Sequence, residues 1–84
     1  MQEELNKIIE SIKMIKRPEE YDTCYMSFNT FLKMLKKESS LFKNVYGKWY
    51  IAGTNIEMNF RNDLPENVSM LLANTKCLYS ENLS

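Results

Sequence analysis

The chain holds only two glycines, Gly47 and Gly53, six residues apart inside the run LFKNVYGKWYIAGTNIEMNF. Glycine reaches positive φ without steric cost, so a Gly-X pair between apolar runs marks a two-residue hairpin turn. Read this way, Gly47-Lys48 and Gly53-Thr54 are turns joining three antiparallel strands at 41–46, 49–52 and 55–60. The register follows. Tyr46 faces Trp49, Asn44 faces Ile51 and Phe42 faces Gly53; across the second turn Ala52 faces Asn55, Ile51 faces Ile56, Tyr50 faces Glu57 and Trp49 faces Met58. Alternation along each strand then sorts the side chains. Phe42, Tyr46, Trp49, Ile51, Ile56, Met58 and Phe60 share one face, which must be buried. Lys43, Val45, Tyr50, Ala52, Glu57 and Asn59 share the other, which is mostly wet.

Helical periodicity brackets this meander. Leu5, Ile8, Ile9, Ile12 and Ile15 form one stripe of a 3.6-residue period. Glu3 and Glu4 suit the positive end of that helix, Lys16 and Arg17 its negative end, and Pro18 stops it. Pro18-Glu19-Glu20 opens a short second helix reaching about Cys24, unless Tyr21, Thr23, Cys24 and Tyr25 form a turn instead. Ser27 is placed to cap a further helix with the stripe Phe28, Phe31, Leu32 and Leu35, fraying at Glu38-Ser39-Ser40. After the meander, Asp63-Leu64-Pro65-Glu66 reads as another helix start. Leu64, Val68, Leu71 and Leu72 supply its stripe, with an end near Asn74 and a short extended piece at 76–79. The expected architecture is therefore one small α+β domain over 1–84. Its order is α-α-β-β-β-α, with N-terminal helices, a three-stranded antiparallel meander and a C-terminal helix.

Eighty-four residues allow a single core, and a chain of this size buries only about 60–65% of the surface its unfolded form exposes. No apolar run approaches the roughly 20 residues that a membrane span needs. MQEELNKIIE lacks the basic start and apolar centre of a secretory signal, so the expected location is the cytoplasm. Cys24 and Cys77 are expected as reduced, partly buried thiols, with a disulfide as the alternative. The net charge is zero but unevenly spread. Residues 1–25 carry −2 and residues 52–84 carry −2, whereas 26–51 carry +4 from Lys33, Lys36, Lys37, Lys43 and Lys48 against Glu38.

Catalytic chemistry has little to work with. Histidine is absent, which removes the commonest general base and metal ligand, and two thiolates cannot close a tetrahedral zinc site. With both glycines committed to turns, no phosphate-cradling loop remains. The expectation is a non-enzymatic binding domain with no cofactor, no metal and no catalytic residues. Two surfaces are candidates. The first is the outer face of the meander, with Lys43, Val45, Lys48, Tyr50 and Glu57 as contacts to a protein partner, a tyrosine inside a charged rim. A homodimer through that face or a free strand edge is a variant. The second is a winged-helix-like nucleic-acid surface from Asn29, Lys33, Lys36, Lys37, Lys43 and Lys48, opposed by the acidic flanks.

The richness in Asn, Lys and Ile is that of an AT-rich genome. In this the chain resembles the small accessory proteins of bacterial viruses and mobile elements. That resemblance implies a regulator or inhibitor acting by stoichiometric contact with a larger host protein.

Overall fold

In the computed structural model, which describes residues 2–15, 18–66, 68–73 and 77–79, the isoleucine stripe winds into helix α1, Gln2–Lys13. Ile8, Ile9 and Ile12 are buried, with Leu5 and Ile15 packed at the margin of the core. Lys16 and Arg17 lie outside the described residues. A 3-10 turn, Pro18–Glu20, follows α1. The chain then enters strand β1, Tyr21–Met26, where neither the short helix nor the turn expected there is formed. Helix α2, Phe28–Lys37, begins at Ser27 as the sequence predicts, and the Ser27 hydroxyl accepts the Thr30 N–H at 3.1 Å. The buried stripe of α2 is Thr30, Phe31 and Met34; Phe28 and Leu32 stand 44% exposed, so the helix is rotated from the expected Phe28-Phe31-Leu32-Leu35 face.

A second 3-10 turn, Ser39–Leu41, leads into strands β2 (Phe42–Val45), β3 (Lys48–Ile51) and β4 (Glu57–Phe60). Neither glycine turn has the predicted form. The first loop is Tyr46-Gly47, with φ of +51° and +84°, so glycine takes the second central position rather than the first. Two successive positive φ values suit a hairpin because their twist matches that of the flanking strands. Asn44 Oδ1 accepts the Gly47 N–H at 3.1 Å and braces the bend. Asn44 therefore pairs with Trp49, and Phe42 with Ile51, one residue earlier on each strand than expected. A shift of one residue on both strands leaves the faces unchanged, so Phe42, Trp49 and Ile51 still point together. Tyr46 is the exception. It leaves the sheet altogether and is fully exposed.

The second bend places Gly53, φ +77°, after Ala52, and the Thr54 N–H closes on the Ile51 carbonyl at 3.1 Å. Its register holds, since the Ile51 N–H donates to the Ile56 carbonyl at 3.0 Å and Tyr50 pairs with Glu57.

The larger correction concerns the sheet as a whole. The meander is half of a six-stranded mixed sheet in the order β2-β3-β4-β1-β5-β6. Strand β1 lies in the middle, parallel to β4 and antiparallel to β5. The expected C-terminal helix is strand β5, Ser69–Ala73, followed by β6, Cys77–Tyr79. The predicted helix end at Asn74 and the start of the extended piece at Lys76 lie outside the described residues. Leu64, Val68, Leu71 and Leu72 satisfy a helical stripe, but a short apolar run beside an open strand edge gains more from pairing than from an isolated turn of helix. The order is thus α-β-α-β-β-β-β-β. The helix-helix-hairpin order on which the winged-helix-like reading rests is not the observed one, since strand β1 separates the two helices, and both helices pack on one side of the sheet.

One core joins these parts. Ile8, Ile9 and Ile12 of α1 and Phe31 and Met34 of α2 meet Cys24, Met26, Phe42, Ile51, Ile56, Met58 and Leu71 from the sheet. Phe31 is its aromatic centre, with ring centroids 4.8 Å from Phe42, 5.2 Å from Trp49 and 4.7 Å from Phe60. The connection from β4 to β5 passes over the end of β1, where the Arg61 N–H reaches the Met26 carbonyl at 2.8 Å. It is tied to α2 by Thr30 Oγ1, which donates to the Glu66 carbonyl, and by the Lys33–Glu66 ion pair at 2.5 Å.

Candidate functional site

With both helices on one side, the other side of the sheet is covered by no helix among the described residues. Strand pairing aligns its side chains in rows. One row runs Lys43, Tyr50, Glu57, Thr23, Leu72 across five strands. Beside it, Val45 pairs with Lys48 on the hairpin, and Asn59, Tyr25 and Met70 align across β4, β1 and β5. All five residues expected to contact a partner, Lys43, Val45, Lys48, Tyr50 and Glu57, therefore lie on this one open face. Ala52, expected there too, sits in the second bend instead.

Val45 is 42% exposed. Tyr25, Tyr50, Met70 and Leu72 are half-buried, each flanked by neighbours on its own face. Cations lie over both tyrosine rings. Lys43 Nζ is 5.8 Å from the Tyr50 centroid, and the Arg61 guanidinium is 5.8 Å from that of Tyr25. Lys48 approaches Glu57 at 4.0 Å. Arg61 also grips Asp63 through two hydrogen bonds, at 3.1 and 2.6 Å, and the first effect of that grip is to hold the Asp63 carboxyl below its ordinary range. The result is an apolar and aromatic strip with charges of both signs at its edge.

Four members of this strip were not among the predicted contacts. Thr23, Tyr25, Met70 and Leu72 sit on strands β1 and β5, whose extended state the periodicity did not reveal. A signal was present in YDTCYM, where Thr23 and Tyr25 alternate with the buried Cys24 and Met26.

The nucleic-acid set is divided by the fold. Asn29, Lys33 and Lys36 are exposed on α2, on the helical side of the molecule, while Lys43 and Lys48 lie on the open face. Lys33 is held by Glu66, whose carboxyl that contact lowers, and Lys37 donates to Asn6 Oδ1 of α1. These six residues do not form one surface.

Among the described residues no cluster of three ligating side chains could hold a metal, and no helix is long and apolar enough to cross a membrane. Cys24 is free and fully buried, and loss of solvation pushes its thiol up to about 12 from an ordinary 9.0. A thiol raised in the folded state leaves stability untouched below pH 9.0 and erodes it as pH climbs from there towards 12. In a Cys77→Ser variant, Ellman's reagent at pH 8 should therefore react with Cys24 at least about 100-fold more slowly than in denaturant. Reaction of the folded protein at the free-thiol rate would contradict this burial. Comparison with protein-family models, curated proteins and solved structures finds no match to the chain.

Proposed function

We propose that this chain is a non-enzymatic binding domain that regulates or inhibits a larger protein by stoichiometric contact through the open face of its sheet. The observation that carries the reading is the strip of Val45, Tyr50, Tyr25, Met70 and Leu72, covered by no helix among the described residues and bordered by Lys43, Lys48, Glu57 and Arg61. Tyrosine, methionine and arginine are the residues that protein interfaces favour, and an apolar centre with a charged edge is the common layout of such contacts. A rigid sheet presents these groups with little ordering cost on association.

The test is quantitative capture from cells of the natural source with immobilised protein. The double substitution Tyr50→Ala with Lys48→Glu should fold as the parent does, since both side chains lie outside the core, and should lose at least about tenfold in capture. Lys36→Glu, on the helical side, serves as the control and should capture as the parent does. Undiminished capture by the double variant would refute the assignment of this face. Retention of labelled single-stranded or duplex probes at low salt, weakening steeply as salt is added, would replace the protein partner with a nucleic acid.

A further inference from the structure

Tyr46 is the least expected residue of the molecule. It occupies the left-handed region at φ +51°, where a turn of this kind prefers asparagine, aspartate or glycine, and its side chain is fully exposed. Such a backbone costs stability and is found where the surrounding structure holds it in place. Here the Asn44 side chain and the two strands of the hairpin do so. Among the described residues nothing in the fold uses the ring. Lys48 borders the tip on β3, and its side chain is 66% exposed.

At the opposite end of β3 the surface opens into a pocket of about 360 Å³ lined by Pro18, Glu19, Tyr21, Asp22, Gly53, Thr54 and Asn55. Its walls are mainly apolar, with the Pro18 ring and the half-buried Tyr21 among them, and it carries two exposed carboxylates, Glu19 and Asp22. The tip and the pocket are complementary in polarity and in sign: an aromatic knob beside Lys48, which lies 4.0 Å from Glu57, and a mainly apolar socket beside two acids.

We propose that the Tyr46 hairpin tip of one copy seats in the Pro18–Tyr21–Asn55 pocket of a second copy. The phenol ring lies against Pro18 and Tyr21, its hydroxyl donates to a carboxylate of the socket, and Lys48 faces Glu19 and Asp22. Because tip and socket sit at opposite ends of β3, the contact is head-to-tail, and each copy offers one of each to its neighbours. Of the open sheet face only Lys48, at its hairpin end, takes part, so Tyr50→Ala, which leaves Lys48 in place, separates this association from the partner contact above. The contact is small, and association is expected at protein concentrations on the order of 0.1–1 mM.

Sedimentation velocity over a concentration series tests it. The parent chain should show a weight-average mass that rises with concentration and falls back when salt is added, as screening weakens the charge contacts. Tyr46→Asn places a residue suited to positive φ at the tip, so its thermal midpoint should rise while its association weakens at least about tenfold. Glu19→Lys with Asp22→Lys should do the same to association with the folded circular dichroism spectrum unchanged. Should that double variant misfold, Asn55→Arg, at an exposed residue of the lining, closes the socket from the other side. The decisive sample is an equimolar mixture of a tip variant and a socket variant. Each retains one working half, so the mixture should form a one-to-one dimer and stop there. A parent chain monomeric throughout the series would overturn the proposal, as would full association by Tyr46→Asn, or a mixture no heavier than its separate components. Tyr50→Ala should associate as the parent does, which keeps this result apart from that of the open face.

Discussion

Phe31→Ala should remove about 3–5 kcal/mol of folding free energy, the cost of deleting a buried aromatic side chain and leaving its cavity. For a chain of 84 residues, total stability is roughly 4–13 kcal/mol, so the variant should lose about a quarter of it or more. The reason is position. Phe31 is 1% exposed and touches Phe42, Trp49 and Phe60, which belong to three different strands, so one ring joins α2 to the whole meander. Phe28 lies on the same helix, 44% exposed, and its ring meets Phe31 at 6.1 Å and Phe60 at 5.1 Å from outside the core. Phe28→Ala should therefore cost about 1 kcal/mol. Urea unfolding followed by circular dichroism and by fluorescence of Trp49, the sole tryptophan, measures both. Equal losses would restore the helical face read from periodicity, in which the two phenylalanines are equivalent, and would contradict the rotated α2.

How far such features are legible without coordinates depends on whether their cause is local. The Ser27 cap is local, a hydroxyl three residues from the N–H it accepts, and it forms as read. The isoleucine stripe of α1 is local in the same sense. The glycines announce two reversals correctly, yet the choice between first and second central position is made by strand twist, and the literal reading chose wrongly at both. Parity rescued the faces. Moving both strands by one residue returns Lys43, Val45, Lys48 and Tyr50 to the same side, which is why the predicted contact set comes together on one surface. Strand β1 has no local cause of comparable strength. Tyr21–Met26 is extended because β4 and β5 supply hydrogen-bond partners on both its edges, 34 or more residues away in sequence. With β1 unread, neither the open face beyond β4 nor the partner for residues 69–73 could be placed. The sequence therefore outlines only the half of the open face that the hairpins define, and Tyr25, Met70 and Leu72 fall outside that outline.

Leu71 and Leu72 carry that lesson into an experiment, because helix and strand assign them opposite relations. On a helix with the stripe Leu64, Val68, Leu71 and Leu72, both side chains face the core, and substituting either should be about equally harmful. On β5 they alternate. Leu71 pairs with Cys24 and is 1% exposed inside the core, whereas Leu72 pairs with Thr23 and lies half-buried on the open face. Leu71→Ala should cost about 2–5 kcal/mol, and Leu71→Asp should prevent folding, since a carboxylate there would lose its water with no cation among its core neighbours. Leu72→Asp should keep the fold, at a cost of about 1 kcal/mol for the lost contact across the sheet. Urea midpoints decide between the two geometries, and similar losses for the two aspartate variants would return this segment to a helix. The folded Leu72→Asp protein then bears on function, because it places a carboxylate in the strip beside Thr23, Tyr25 and Met70 without touching the hairpin that carries Tyr50. If the partner covers the whole face rather than its hairpin half, capture should fall with Leu72→Asp as it does with Tyr50→Ala; capture unchanged by Leu72→Asp would confine the contact to β2, β3 and β4.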